Sequence, residues 1–152
     1  MLDYLTRTDG SAAVYLFKAF GTVIVGTVIV VFFASLFFSG PDSTPSENSR
    51  AVNALILLIV WPVMVTAMLQ GLLLLARRFA PDYWYAAGGT ALLLALAMGL
   101  LGGPAASSVM VWPFFIYAVV FLAWQLKSNR AAWAMTLGVQ AMVNLLPVLF
   151  MK

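Results

Sequence analysis

Long apolar stretches dominate the chain and are separated by short polar segments. The most uniform stretch runs over 54–76, contains no charged residue and is interrupted by Pro62. A helix of this length, at about 1.5 Å per residue, covers the ~30 Å hydrocarbon core of a bilayer. We therefore expect the protein to be organised around this helix. Four other stretches are comparably apolar, and the pattern predicts five membrane-spanning helices, over 12–38, 54–76, 83–101, 107–126 and 131–151.

Turn-forming residues occupy the segments between these stretches. Residues 39–50 form a polar loop with two prolines, and the Gly-Gly-Pro sequence at 102–104 separates the third stretch from the fourth. Glycine after a helix end, with proline beyond it, is a common helix stop. The first stretch is longer than the apolar part of a signal peptide and lacks an A-x-A cleavage pattern, so we expect an uncleaved helix. The prediction is one all-α domain, a polytopic bundle over 1–152.

Basic residues are distributed unequally between the two sides of this topology. One side carries Arg7, Lys18, Arg77, Arg78, Lys127 and Arg130. The other side carries Arg50 and Lys152. Because basic residues in short loops are enriched on the cytoplasmic side, we predict a cytoplasmic N-terminus and an external C-terminus.

The composition agrees with a membrane protein and excludes several kinds of chemistry. Hydrophobic residues make up 64% of the chain, against roughly 45–50% in soluble domains, and mean hydropathy is +1.02. Cysteine and histidine are absent, which removes disulfides, thiol nucleophiles, imidazole bases and the common zinc ligand sets. We expect no metal and no cofactor. The net charge is +3, and the basic residues are spread along the chain with no run, so we expect no nucleic-acid partner.

Ionisable side chains are missing from the middle of every predicted span, which argues against proton pumps, ion-coupled transporters and voltage sensors. The deep polar residues are Thr66 and Gln70 on the second helix and Gln140 and Asn144 on the fifth. Each pair has i,i+4 spacing and shares one helix face. The two helices run in opposite directions, so we expect the four residues to meet within one membrane layer. Two interpretations remain open: hydrogen bonds between helices, worth ~1 kcal/mol each, or the lining of a site.

The second helix also carries a recognisable order of residues. Pro62 is followed at fixed spacing by Val65, Thr66, Gln70 and Gly71. This order resembles the P-x-x-E-E-x-x-x-R-G motif of the CPBP family, the CAAX-type proteases and bacteriocin-processing enzymes also called abortive-infection proteins. The proline and glycine match. The two glutamates and the arginine of the motif are replaced.

Two later segments extend this resemblance over about two thirds of the chain, from 54 to the end. Met98 stands where the histidine of the family's F-x-x-x-H motif would be. Gln140 stands for the histidine of the final H-x-x-x-N motif, and Asn144 is retained.

The resemblance implies a family of intramembrane proteases in which a glutamate and histidines activate water. General base catalysis needs a group that holds a proton near neutral pH, and Val65, Thr66, Met98 and Gln140 cannot do so. The implied protein is a catalytically inactive member in the bacterial inner (plasma) membrane. Its former active site would be an uncharged pocket that binds or scaffolds another membrane protein or a hydrophobic peptide. The candidate pocket residues are Thr66, Gln70, Met98, Gln140 and Asn144.

Two other functions are compatible with the sequence. The abundance of small residues on the first and third helices, without deep charge, is also typical of a structural accessory subunit of a larger membrane complex unrelated to proteases. An active intramembrane protease or a carrier of an uncharged solute is the third possibility. It would have to rely on Thr66, Ser107, Ser108 or backbone groups.

Overall fold

The computed structural model describes residues 2–38, 49–79 and 82–150, and the secondary-structure elements in these ranges are all helical. Four of the described helical stretches are long and apolar enough to cross a membrane. The elements are α1 (Asp3–Thr6), α2 (Ala12–Phe37), α3 (Arg50–Leu55), a π-helical turn (Ile56–Val60), α4 (Trp61–Phe79), α5 (Tyr83–Gln125) and α6 (Asn129–Phe150). Of the predicted polar loop 39–50, only Ser49 and Arg50 lie within the described residues.

Helix α2 is apolar around its whole circumference and buries only one narrow face. Tyr15, Ala19 and Val23, each four residues apart, are its buried residues. The remaining faces carry exposed valine, isoleucine and phenylalanine side chains along the length of the helix. In a bilayer such side chains face acyl chains, which are as apolar as they are.

Helices α3 and α4 form one continuous helix through the π turn. Ser49 caps its start by accepting a hydrogen bond from the Val52 amide at 3.4 Å. The helix therefore begins four residues before the predicted start of the second span and continues to Phe79, past the basic pair at 77–78. Proline clashes with the carbonyl four residues before it, and the wider π turn directly before Pro62 relieves that clash.

Helix α5 is 43 residues long and reverses direction at Gly103. Gly103 has φ 81° and ψ 176°, a conformation that is essentially restricted to glycine. The phenol of Tyr83 donates to the carbonyl of Val119 at 2.7 Å. These residues would be roughly 54 Å apart in a straight helix. The two halves, which we call α5a (83–102) and α5b (104–125), therefore pack side by side in opposite directions.

The centre of the bundle is α5b. All residues from Pro113 to Trp124 except Phe115 are buried, and a helix buried on all sides must be surrounded by other elements. Helix α5 packs against α2, α4 and α6. The expectation that the bundle is organised around 54–76 is wrong, because the apolar window of that helix is only 22% buried, against 50% for α5.

Candidate functional site

Three hydrogen bonds connect α6 to the helix formed by α3, the π turn and α4. We call this set of contacts the polar seam. Its members are Leu57, Thr66, Gln70, Trp133, Gln140 and Asn144. The bonds occur in antiparallel order and extend over roughly 20 Å of helix, which is well over half of the ~30 Å bilayer core. The expected single layer of polar residues is therefore wrong: the contacts lie at three successive levels.

The middle contact joins Thr66 to Gln140. The Gln140 Nε2 donates to Thr66 Oγ1 at 2.9 Å. Both side chains are closed off, with exposures of 0% for Thr66 and 1% for Gln140. Gln140 Oε1 is buried and has no hydrogen-bond partner. An unpaired amide oxygen in an apolar interior is costly, so this atom is the acceptor in the seam that a further donor would satisfy.

At one end of the seam Gln70 is paired with a tryptophan. The indole Nε1 of Trp133 donates to Gln70 Oε1 at 2.7 Å, so Gln70 does not join the amides of α6. Trp133 is not among the candidate residues that the sequence predicts. Its position seven residues before Gln140 places both on one helix face, and this spacing is the signal that could have identified it.

At the other end Asn144 compensates for the proline. In the π register a carbonyl accepts from the amide five residues later, and Trp61 N–H donates to Ile56 O in this way. The next carbonyl, that of Leu57, would need the amide of Pro62, which does not exist. Asn144 Nδ2 supplies the missing donor at 2.8 Å. Asn144 thus completes the hydrogen bonding of a helix whose regular backbone pattern is interrupted by the π turn, which matters in a bilayer because water is absent there.

Met98 takes no part in these three bonds. It lies on α5a, partly buried against the core. Val65 is buried as well. The structure thus brings together Thr66 and Gln140 of the five candidate residues, and it places Gln70 and Asn144 at the levels above and below them.

The seam offers hydrogen bonding without acid–base chemistry. Its side chains are two glutamines, an asparagine, a threonine and a tryptophan, none of which accepts or releases a proton near neutral pH. Within the described ranges no group of three or more His, Cys, Asp or Glu side chains is placed to hold a metal ion. The described residues thus form a helical bundle with an uncharged polar seam, and four of its helices are long and apolar enough to cross a membrane.

Comparison with known proteins identifies no relative: no protein-family model, curated protein or solved structure matches the chain.

Proposed function

We propose that this protein is a non-catalytic, CPBP-like integral membrane protein that binds or scaffolds a membrane partner, either another membrane protein or a hydrophobic peptide. The observation that carries the proposal is the 2.9 Å bond between Thr66 and Gln140. Thr66 stands at the position of the second motif glutamate, and Gln140 stands at the position of the histidine in the final motif. Groups that activate water together must be neighbours, and these two positions are neighbours.

The replacements turn a site for chemistry into a site for recognition. Thr66 and Gln140 can donate and accept hydrogen bonds but cannot serve as a general acid or base. The unpaired Gln140 Oε1 provides the affinity for a partner, because a donor from an apolar segment would satisfy an acceptor that is otherwise buried without one.

Access to Gln140 requires the seam to open, and the π turn is the place where it does so. The π turn is held to α6 by the hydrogen bond between Asn144 and the Leu57 carbonyl, and its backbone lacks the regular α-helical hydrogen bonds. A local opening there exchanges one bond within the protein for one bond with the partner.

A direct test uses two membrane-spanning peptides, one of leucine alone and one with a central glutamine. The chain lacks cysteine, so Leu126→Cys provides a single labelling site at an exposed position, 79% accessible. We expect energy transfer in vesicles to show tighter association of the glutamine peptide, by about threefold. Gln140→Leu should abolish the difference. Gln125→Leu, which removes an amide outside the seam, should retain it.

Equal association of the two peptides with the unmodified protein would refute recognition through the seam. Mass spectrometry of the same vesicles tests the other half of the proposal. Both peptides should remain intact, and cleavage that is lost in Thr66→Ala would show an active enzyme.

We further propose five membrane crossings with a cytoplasmic N-terminus. Support for the fifth crossing comes from the reversal at Gly103, because α5a and α5b each have the length of one crossing. Support for the orientation comes from Lys127, whose Nζ donates to the Thr8 carbonyl. That contact places the basic residues of the N-terminal segment and of the α5–α6 turn at one end of the bundle, in agreement with the positive-inside rule.

Single cysteines test this topology in intact cells of an expression host. Asp9→Cys and Leu126→Cys should react with a membrane-impermeant maleimide only after permeabilisation. Ser49→Cys and Pro104→Cys should react without it. Labelling of Pro104→Cys only after permeabilisation would eliminate the fifth crossing.

A second candidate function, a structural accessory subunit of a larger complex, is favoured by α2. This helix of 26 residues buries only three of them, which leaves most of its surface available to another protein. Purification in mild detergent should then recover a stoichiometric partner. A stable isolated monomer with unchanged peptide recognition would exclude this alternative.

A further inference from the structure

A second polar network lies where α1 packs against α2. Thr22 Oγ1 donates to the Lys18 carbonyl at 2.7 Å, so its single proton is used. The 2.5 Å contact between Tyr4 and Thr22 therefore has the tyrosine phenol as donor. From the other side, the indole Nε1 of Trp112 on α5b donates to the Thr22 carbonyl at 3.0 Å. Thr22 thus fixes α1 and α5b to the same turn of α2.

An apolar groove of about 710 Å³ descends along α2 from this point. Its wall follows α2 from Lys18 to Val30, and Trp112 forms its inner side. At ~1.5 Å per residue this length is roughly 18 Å, slightly more than half of the ~30 Å hydrocarbon core. The groove therefore has the length of one acyl chain in one leaflet.

Two glycines explain why the groove is open at one level and filled at another. A Cβ built on Gly26 would lie 1.8 Å from Trp112 Nε1, so the indole packs against the bare backbone at this position. A Cβ built on Gly21 would meet no atom within 4 Å. The Trp112 side chain therefore covers Gly26, whereas the space beside Gly21 is open to a ligand.

A polar cavity of about 490 Å³ continues the groove at its Lys18 end. The two cavities share Tyr4 and Lys18. The polar cavity is lined by groups of both charges, with Arg7 and Lys18 as cations and Asp3 and Asp9 as anions. A ligand that fits both spaces has an apolar chain and a head that carries a positive and a negative charge.

We propose that this surface binds one phospholipid with a zwitterionic amine head group. Its acyl chain lies in the groove beside Gly21, and its phosphate contacts Lys18 and Arg7. Its ammonium group faces the carboxylates of the polar cavity. A partner helix would fill the groove but bring no charged head to the polar cavity, whereas a phospholipid fills both. The site lies on α1, α2 and α5b and does not involve the seam.

The test is lipid retention, measured by native mass spectrometry of detergent-purified full-length protein titrated with phosphatidylethanolamine. Gly21→Leu places a side chain in the groove, and Gly71→Leu is its matched control, since a Cβ on Gly71 also meets no atom within 4 Å but lies on α4. We expect one retained lipid on the unmodified protein and on Gly71→Leu, and at least a fivefold weaker retention on Gly21→Leu.

The charge at the head is tested separately. Lys18→Gln should weaken retention about fivefold, as expected for one basic residue beside a phosphate, whereas Arg78→Gln, an exposed basic residue on α4, should not. Thr66→Val, which alters only the seam, should retain the lipid, so the fate of this proposal is independent of peptide recognition. Equal retention by Gly21→Leu and Gly71→Leu would overturn it. So would a lipid-independent dimer that Gly21→Leu dissociates.

Discussion

The polar seam and the groove along α2 both contain hydrogen bonds between helices, but side chains fill the seam, whereas the groove is open. In each, an indole N–H crosses between helices, from Trp133 to Gln70 in the polar seam and from Trp112 to the Thr22 carbonyl beside the groove. In the seam, amide side chains from α6 fill the space, and the middle pair is sealed. On α2, glycines lie where side chains would be. One is covered by Trp112, and the space at the other remains open.

The difference indicates that one region of the protein holds helices together and another leaves space for a ligand. Association of helices in lipid has no hydrophobic driving force, so close packing and hydrogen bonds must hold them together. The seam concentrates such bonds between two helices. On α2, the hydrogen bonds are confined to the turn around Thr22, and this leaves room for a lipid from the bilayer. Three sets of substitutions test this contrast.

The largest effect is expected at the two glycines of α2. Gly26→Ala places a methyl group inside the Trp112 indole and must displace it, which breaks the bond to Thr22 and costs about 3 kcal/mol. Gly21→Ala should be neutral or slightly stabilising, because its Cβ enters open space and alanine favours helix. Unfolding in mixed micelles with increasing dodecyl sulfate measures both. Equal destabilisation by the two variants would contradict the close contact between Gly26 and Trp112.

An intermediate effect is expected at Asn144. Asn144→Leu leaves the Leu57 carbonyl without a donor and should cost about 2 kcal/mol in the same unfolding measurement. Pro62→Ala restores a backbone N–H and allows the regular α register, in which the Trp61 amide donates to the Leu57 carbonyl. In that background Asn144→Leu should cost less than half as much. An undiminished cost would mean that Asn144 acts through packing and not through the carbonyl.

The smallest effect is expected at the centre of the seam, and it is asymmetric. Thr66→Val should cost about 1 kcal/mol, because it leaves the whole Gln140 amide buried without a partner. Gln140→Leu should cost less, since it also removes the unpaired Oε1, and the Thr66 hydroxyl can turn to a carbonyl of its own helix. The double variant should be no less stable than Thr66→Val. A larger loss for Gln140→Leu than for Thr66→Val would rule out this account.

Sequence spacing identified part of the seam correctly. The i,i+4 pairs led to Thr66 and Gln140 on facing helices, because an amide in hydrocarbon needs a partner and few polar groups were available. The same logic missed Trp133, whose indole is mostly apolar and was not counted as a donor. It also missed the function of Asn144, because the orphaned acceptor is a backbone carbonyl. The Leu57 carbonyl lacks a backbone donor only because the π register pairs it with Pro62, which has no N–H.

Hydropathy along the chain was sufficient to establish a helical membrane protein and to place its long apolar segments, since the length and polarity of a segment are local properties. Only the tertiary structure decided that α5b is the central helix, that the seam has three levels and that α2 borders a groove. The physical reason is that lipid and protein interior are equally apolar. A leucine or valine therefore carries no local sign of whether it faces another helix or an acyl chain.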